Sequence, residues 1–567
     1  MTALRFALAA VLLAAIGLVP QFLSRSLPDI AFLLYTAGKL LDGGRLYVDV
    51  LEVNPPLIVW LNVPVVLISR LAGMSDLLVY RIAVTGLLAA SVAGCGWVLG
   101  RSPEGESIRA RRILLLSIVV ALFILPRLDW GEREHLTLAL TLPYVLLAAV
   151  RLDGGRVPAL PAAGIGLAAA VGIAIKPHFV LVWAVREGLT AMRTRSRLTL
   201  EGLVILIGGA AYAGAAALFV PEYFSLVRSL GGAYHVYLHN SLPVTALLGD
   251  GAAMALGALL LAAALWRRTA GNLRIMLLGT TAAFYLAAVL QLKGWRYHFY
   301  PALALGWLLV AVLAMRVRTP ARTCMEGAFA AIVRATAGTV AVAAVLGCLL
   351  QAARPLDPRY DADPSIGLLL PVVSEYARGR DLIVLSPNMA SGFPLTSYAG
   401  ARWPQRLSNV WPLVAAYDSA LRDTAKFRYR PPNGMTELER FTLRTVTDDL
   451  LAADAPVMLV LRRGPDAPGW GMRRLELLEF FSRDARFARL LSGYVPAGTV
   501  GQYDLYRRGD VLPRPIAPAR ALRGDPVPPG AIRVAPDSML LAGLFAAALV
   551  LAYLRERKRT SRDLSGT

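Results

Sequence analysis

The sequence predicts a polytopic α-helical membrane protein with a C-terminal extracytoplasmic α/β domain. Three observations predict it. Of 567 residues, 56% are hydrophobic and only 17% charged, against about 25% charged in a soluble protein, and the mean hydropathy is +0.55. The apolar residues come in blocks of about 17–22, long enough to cross a bilayer core as helices. One charged stretch, 355–536, interrupts this pattern and has the size of an ordinary soluble domain. The expected organisation is a transmembrane module over 1–354, the soluble domain over 355–536, and a final helix with a basic cytoplasmic tail over 537–567.

The net charge of +21 would suit a nucleic-acid partner if it formed a patch. Instead Arg residues sit in short gaps between apolar blocks, where topology signals sit. No nucleic acid is expected as a partner. Cys95, Cys324 and Cys348 fall in or beside apolar blocks and the soluble stretch has no cysteine. That excludes a disulfide framework or a Cys-based zinc site there.

The first block, Met1 to Leu23, resembles a signal peptide but lacks a convincing small-x-small cleavage site, so it reads as an uncleaved first helix. Basic gaps follow at Arg101/Arg109/Arg111/Arg112, Arg151/Arg156, Arg186/Arg193/Arg195/Arg197, Arg267/Arg268/Arg274, Arg316/Arg318/Arg322 and Arg555/Arg557/Lys558/Arg559. Placing them all in the cytoplasm satisfies the positive-inside rule. Spans are then expected at 4–22, 79–99, 113–127, 135–150, 158–175, 178–192, 200–220, 251–267, 275–292, 299–315, 332–352 and 538–554, twelve in all. Both termini lie inside and the soluble domain outside, which suits a bacterial inner membrane.

Residues 55–72 are apolar but carry Pro55, Pro56, Asn62, Pro64 and Arg70. Counting them as a span would reverse every later loop, so they read as a helix lying at the outer interface, with a second such helix at 29–42. In the soluble domain, 380–386 and 456–463 read as buried strands, and 435–452 and 471–489 as amphipathic helices.

This topology places the reactive side chains together. All five histidines, His135, His178, His235, His239 and His298, fall at outer membrane borders, with Lys39, Lys176 and Lys293. Span ends also collect interfacial anchors, but this concentration points to a site at the outer mouth of the bundle. The first outer loop carries Asp29, Asp42, Asp49 and Glu52. Asp29 follows Pro28 where a helix starts, a good N-cap position; held against the membrane it can also serve as a general base. Asp42-Gly43-Gly44 reads as a helix stop. The second outer loop packs Asp129, Glu132, Arg133, Glu134 and His135 into seven residues, a charge density that is expensive at a bilayer border unless paired or functional. A divalent metal on Glu134 and His135 is an open alternative, although adjacent residues diverge on a helix. The third element, 290–301, carries Lys293, Arg296, Tyr297 and His298, a set suited to a lipid phosphate. Arg228, Tyr234, His235, Tyr237 and His239 in the 221–250 loop could close over it. Asp361 and Asp363 mimic a DxD metal motif but sit in a linker on the wrong side for nucleotides. No phosphate loop, HExxH or G-x-S-x-G motif is present.

Over roughly 1–320 the chain resembles the glycosyltransferase C superfamily, of the protein O-mannosyltransferase and lipid A aminoarabinose transferase type. The resemblance rests on Asp29 after the first span, on Gly44-Arg45-Leu46-Tyr47, on Pro55-Pro56-Leu57, on acidic residues in the second outer loop, and on Lys293, Tyr297 and Pro301. The chain departs from the pattern at Asn54-Pro55, where the family often has Lys-Pro. The resemblance implies an inverting transfer from a polyprenyl-phosphate sugar to a glycan, lipid or protein acceptor. Asp29 would be the base, with Glu52, Asp129, Glu132 and Glu134 completing the catalytic set. Lys293, Arg296, Tyr297 and His298 would hold the donor phosphate. Tyr47, Asn54, His135, Lys176, His178, His235 and His239 would contact substrate. A lipid-linked glycan transporter fits less well, because transporters place charges near the midplane and show two similar halves. A polysaccharide polymerase or ligase would share the outer site and the lipid donor, and a non-enzymatic envelope scaffold would leave the charged collection unexplained.

Overall fold

The structure is a computed structural model that describes residues 3–102, 107–194, 198–264, 271–316, 364–422, 427–464 and 471–513, with positions 335, 342, 346 and 347 between them. Apart from those four positions, the expected span 332–352 lies outside the described residues, as do the expected span 538–554, the basic tail, Cys324, Cys348, Asp361 and Asp363.

The membrane module is a run of helices: α1 Ala3–Leu23, α2 Pro28–Leu41, α3 Leu57–Ala72, α4 Asp76–Leu99, α5 Ile108–Val119, α6 Arg133–Leu152, α7 Ala159–Ala174, α8 Val180–Thr194, α9 Leu200–Phe219, α10 Glu222–Val236, α11 Leu242–Leu248, α12 Ala252–Ala264, α13 Asn272–Leu290 and α14 Arg296–Arg316. Six of the described helices are long and apolar enough to cross a membrane, or seven if α11 and α12, bent by 74° at their junction, form one span. The chain is a multi-pass membrane protein. The twelve-span count is therefore not reached by length and composition alone. The expected 251–267 span corresponds to α12, which starts at Ala252, and α11 precedes it across Gly249-Asp250-Gly251. The two helices expected in the first loop are α2 and α3.

Polar caps start the helices. Ser75, Ser107 and Thr199 accept from the backbone N–H groups of Leu78, Ala110 and Gly202, satisfying donors that a helix start leaves open. Gly73 ends α3 with φ 63°, a conformation glycine adopts without strain.

α6 is the hub. It is buried along nearly its whole length and packs on α4, α7, α13 and α14. Ser91 donates to Ala139 O at 2.6 Å and Thr137 to Gly172 O at 2.9 Å, so hydroxyls join α4, α6 and α7 where water is excluded. Gly172 allows the close approach: a Cβ there would stand 2.9 Å from the Leu140 Cβ. Before α6 the chain leaves α5 through a π turn at Val120–Ile124 and a 3-10 turn at Arg127–Asp129.

The C-terminal domain holds one four-stranded sheet in the order β1-β2-β4-β3, with β1 Leu382–Leu385, β2 Val457–Leu461, β3 Tyr494–Val500 and β4 Tyr503–Arg508. β1 and β2 are parallel (Leu382 opposite Val457), and β4 runs antiparallel to both β2 and β3. The two strands read from sequence are β1 and β2, continuous apolar runs buried at every position. The 435–452 helix is Glu437–Ala452, closed by a Thr436/Glu439 capping box. The single helix expected at 471–489 is a correction. The chain breaks there into a 3-10 turn Met472–Arg474 and short helices Leu477–Phe481 and Ala485–Leu491. Asp484 causes the second break, because its side chain accepts from Arg486 N and starts a new helix.

This domain grips α2. Phe32 and Tyr35 pack on Phe393 with ring centroids at 5.2 and 5.3 Å. The Tyr35 hydroxyl donates to Trp403 O at 3.0 Å and accepts from Trp403 N at 2.8 Å. Leu51 N donates to Arg406 O at 2.8 Å, and Arg406 is held by Asp449 at 2.6 Å.

Candidate functional site

α2 opens with Pro28 in its first turn and Leu27 at the cap, without a side-chain cap. Asp29 therefore does not take the N-cap role expected of it. Its carboxylate is instead 3.6 Å from the guanidinium of Arg133. Asp29 is about a third exposed and Arg133 is buried, at 37% and 4%, so the acid faces an opening while its partner is fixed inside.

Glu52 accepts from Asn54 twice, from N at 2.8 Å and from Nδ2 at 2.6 Å. Burial nonetheless holds its carboxyl above the usual range. The Tyr47 hydroxyl donates to Asn54 O at 2.7 Å, so Tyr47, Glu52 and Asn54 form one knot. Asp42, read as a helix stop, caps α2 and accepts from Arg70 of α3 at 2.7 and 3.0 Å.

The segment before α6 is stapled by His135. Its Nδ1 accepts from Gly131 N at 2.9 Å and its Nε2 faces Leu122 O at 2.8 Å. Those partners put the ring proton on Nε2. Both ring nitrogens are thus spent on the backbone of the π turn and the loop, which leaves His135 none for substrate. Glu134, one residue earlier, points to Lys176 instead. Among the described residues no group of three or more His, Cys, Asp or Glu is arranged to hold a metal ion.

Asp129 pairs with Arg296 Nε at 2.8 Å. Burial pushes its carboxyl up to about 6 despite that partner. Glu132 caps the start of α6 without a side-chain cap bond. Burial, then the nearby Asp29 charge, raise it well above the ordinary range.

Lys176 donates to Glu134 Oε1 at 2.5 Å and Gln291 Oε1 at 3.4 Å. His298 Nε2 lies 3.8 Å from the same Glu134 oxygen, and the Tyr297 ring lies 5.4 Å from the Lys176 ammonium. Lys293 donates to the carbonyls of Tyr234 at 2.9 Å, His235 at 3.1 Å, and Tyr237. These lie at the C-terminal end of α10, where the helix dipole favours a cation. Burial pushes the Lys293 ammonium down to about 7. Tyr234 and Tyr237 in turn pack on Trp411 of the C-terminal domain at 5.4 and 5.7 Å.

The structure thus brings Asp29, Glu132, Glu134, Lys176 and His298 to one end of the bundle around Arg133, with Asp129 and Arg296 paired nearby. It does not bring in every expected residue. His235 is exposed on α10, and His239 turns to the C-terminal domain, with Nδ1 3.8 Å from Asp418 and its carbonyl accepting from Arg422 at 2.7 Å. The sequence reading passed over Gln291 and gave Arg133 no role. Arg133 could have been singled out as the cation placed between Glu132 and Glu134 at a helix start.

No family model matches the chain, and no curated protein matches it in sequence. Among solved structures it is similar to ArnT from Cupriavidus metallidurans bound to undecaprenyl phosphate, at 12% identity and a TM-score of 0.51, over 90% of this chain and 99% of that one. At that identity the likeness speaks for architecture alone: the chain has the fold of that structure.

Proposed function

We propose that the chain is an integral membrane glycosyltransferase that moves a sugar from a polyprenyl-phosphate donor to an envelope acceptor on the outer face, inverting the anomeric centre. The observation that carries this reading is the Asp29–Arg133 pair at 3.6 Å, set among buried ionisable groups at one end of the bundle. The fold of a structure that holds undecaprenyl phosphate supports the lipid donor.

Asp29 takes the acceptor hydroxyl's proton as that oxygen attacks C1, and the bond from C1 to the phosphate oxygen breaks. Arg133 orients the carboxylate. Glu132, raised and close to Asp29 in charge terms, and Glu52 hold donor or acceptor hydroxyls, and Asp129 fixes Arg296. Lys293, Arg296 and Tyr297 stabilise the departing phosphate. The Lys293 ammonium then trades one carbonyl of α10 for a phosphate oxygen. Apolar grooves between helices take the isoprenoid tail.

The test is incubation of the purified protein with a panel of polyprenyl-phosphate sugars. Time-dependent release of polyprenyl phosphate, dependent on an acceptor, is expected with at least one sugar. No release from any member, with protein that remains folded, contradicts the proposal.

A further inference from the structure

The C-terminal domain meets the membrane module beside the groups given chemical roles above. α2, which carries Asp29, starts without a side-chain cap at Leu27. Its entry is held from outside instead. Ser26 N donates to the Tyr398 hydroxyl at 2.7 Å, and Arg81 Nη2 of α4 donates to Ser24 O at 2.5 Å. About one turn past Asp29, the Phe32 ring packs on Phe393, and Tyr35 makes its two hydrogen bonds to the Trp403 backbone. Phe393 is fully buried and lies against the Trp403 ring at 5.1 Å, so the joint is a packed aromatic cluster. Asp29 therefore sits between two anchors supplied by one segment, 393–403.

The same segment continues to the loop after α2. Arg406 O accepts from Leu51 N, the residue before Glu52, and Asp449 fixes Arg406 through its N at 2.8 Å and its Nε at 2.6 Å. A third anchor follows at 411–422. Trp411 packs on Tyr234 and Tyr237, and Arg422 donates to His239 O at 2.7 Å. The carbonyls of Tyr234 and Tyr237 are among those that hold the Lys293 ammonium. Asn240 closes the turn onto the same lysine, its Nδ2 donating to Lys293 O at 2.9 Å. A mere tether would serve from any exposed part of the bundle. These contacts bracket Asp29, adjoin Glu52 and clasp the carbonyls on Lys293. Catalytic groups must be held to within about 0.5 Å. The three groups stand on separate segments, and one packed body bonded to all three fixes their spacing.

We infer that the C-terminal domain is a positioning element of the transfer site: Tyr398 and Trp403 set α2 and its Asp29, Arg406 sets Glu52, and Trp411 sets the cradle of Lys293. This rests on the transferase reading above and deepens it by giving the domain a part in turnover. The anchors act through Asp29, Glu52 and Lys293, and they act on different steps. Those on α2 set the base, so their loss lowers kcat and spares donor binding. Trp411 sets the cation offered to the donor phosphate, so its loss raises the KM for the donor.

The experiment measures release of undecaprenyl phosphate by the full-length purified protein from the sugar-bearing lipid that the wild type turns over fastest. Tyr35→Phe/Tyr398→Phe keeps both rings and removes the side-chain hydrogen bonds on either side of Asp29. Its kcat falls about tenfold, with the donor KM within about twofold of wild type. In an Asp29→Asn background the same two changes alter the residual release by less than about twofold, because the base they position is gone. A loss of folded protein would lower both backgrounds alike. Trp411→Leu raises the donor KM about tenfold, and Trp411→Phe restores most of it. Should Trp411→Leu fail to fold, the tyrosine variants carry the test. The inference is overturned if the tyrosine double variant keeps its kcat, or loses the same factor with and without Asp29. A folded Trp411→Leu protein with an unchanged donor KM overturns the part given to Trp411. Folded wild type that releases no lipid phosphate from any donor is a different result: it overturns the transferase reading, and this role falls with it.

Discussion

Arg133 and Asp29 meet guanidinium to carboxylate at 3.6 Å, although one opens a fully packed helix and the other lies in the first turn of α2, near the start of the chain. The pair links the hub of the bundle to the segment gripped by the C-terminal domain. Its consequence is electrostatic: the partly exposed acid has a buried cation beside it, which favours orientations that face the guanidinium.

Replacing Arg133 by Lys should therefore harm turnover more than binding. Lys keeps the charge but lacks the planar fork and the reach. A misplaced catalytic group costs about 100-fold, so kcat should fall by about that factor while KM for the lipid donor changes little. Equal changes in both, or a kcat within about twofold of wild type, would contradict the orienting role.

The His135 staple predicts a stability effect. His135→Ala leaves Leu122 O and Gly131 N without their imidazole partner in a fully buried place. The two unpaired groups should cost about 2–4 kcal/mol. His135→Gln should recover part of that. A loss under about 0.5 kcal/mol in detergent unfolding shows that the staple does not hold the loop.

Lys293 predicts a pH dependence. Its folded value, about 7, lies below the 10.5 of a free lysine. Over that window the unfolded chain keeps a proton that the native chain releases, so stability from this group rises with pH and is lost as pH falls through about 7. The wild-type thermal midpoint should rise relative to that of Lys293→Met between about pH 6 and about pH 9. A gap that stays constant with pH contradicts the buried ammonium.

Tyr35→Phe separates two contributions at the junction of α2 and the C-terminal domain. It removes both hydrogen bonds to Trp403 and keeps the ring on Phe393. Faster amide exchange over 400–410 is expected, at a cost of about 1–3 kcal/mol. Unchanged exchange means the ring packing alone holds the junction.

The helices of the bundle were legible because long apolar blocks and basic gaps report directly on burial and topology. Helix starts at Asp76, Arg133, Leu200 and Asn272 fall within about three residues of expectation. The C-terminal hairpin was not read, since β3 is a half-exposed strand broken by Pro496 and Gly498, with a bulge between them. The concentration of ionisable residues at one end was legible from helix alternation. Which of them pair was not, because pairing is set by helix rotation. Glu134 turns toward Lys176 while His135 turns into the backbone of the π turn, and nothing in the adjacent letters says which goes where.

The most direct test compares the wild type with Asp29→Asn for release of undecaprenyl phosphate from the best sugar donor. The substitution keeps the shape of a partly exposed side chain, so the protein should fold and bind lipid as before. Release should fall by about 100-fold or more. Near-normal release from a folded Asp29→Asn protein would remove the proposed base and contradict the mechanism built on it.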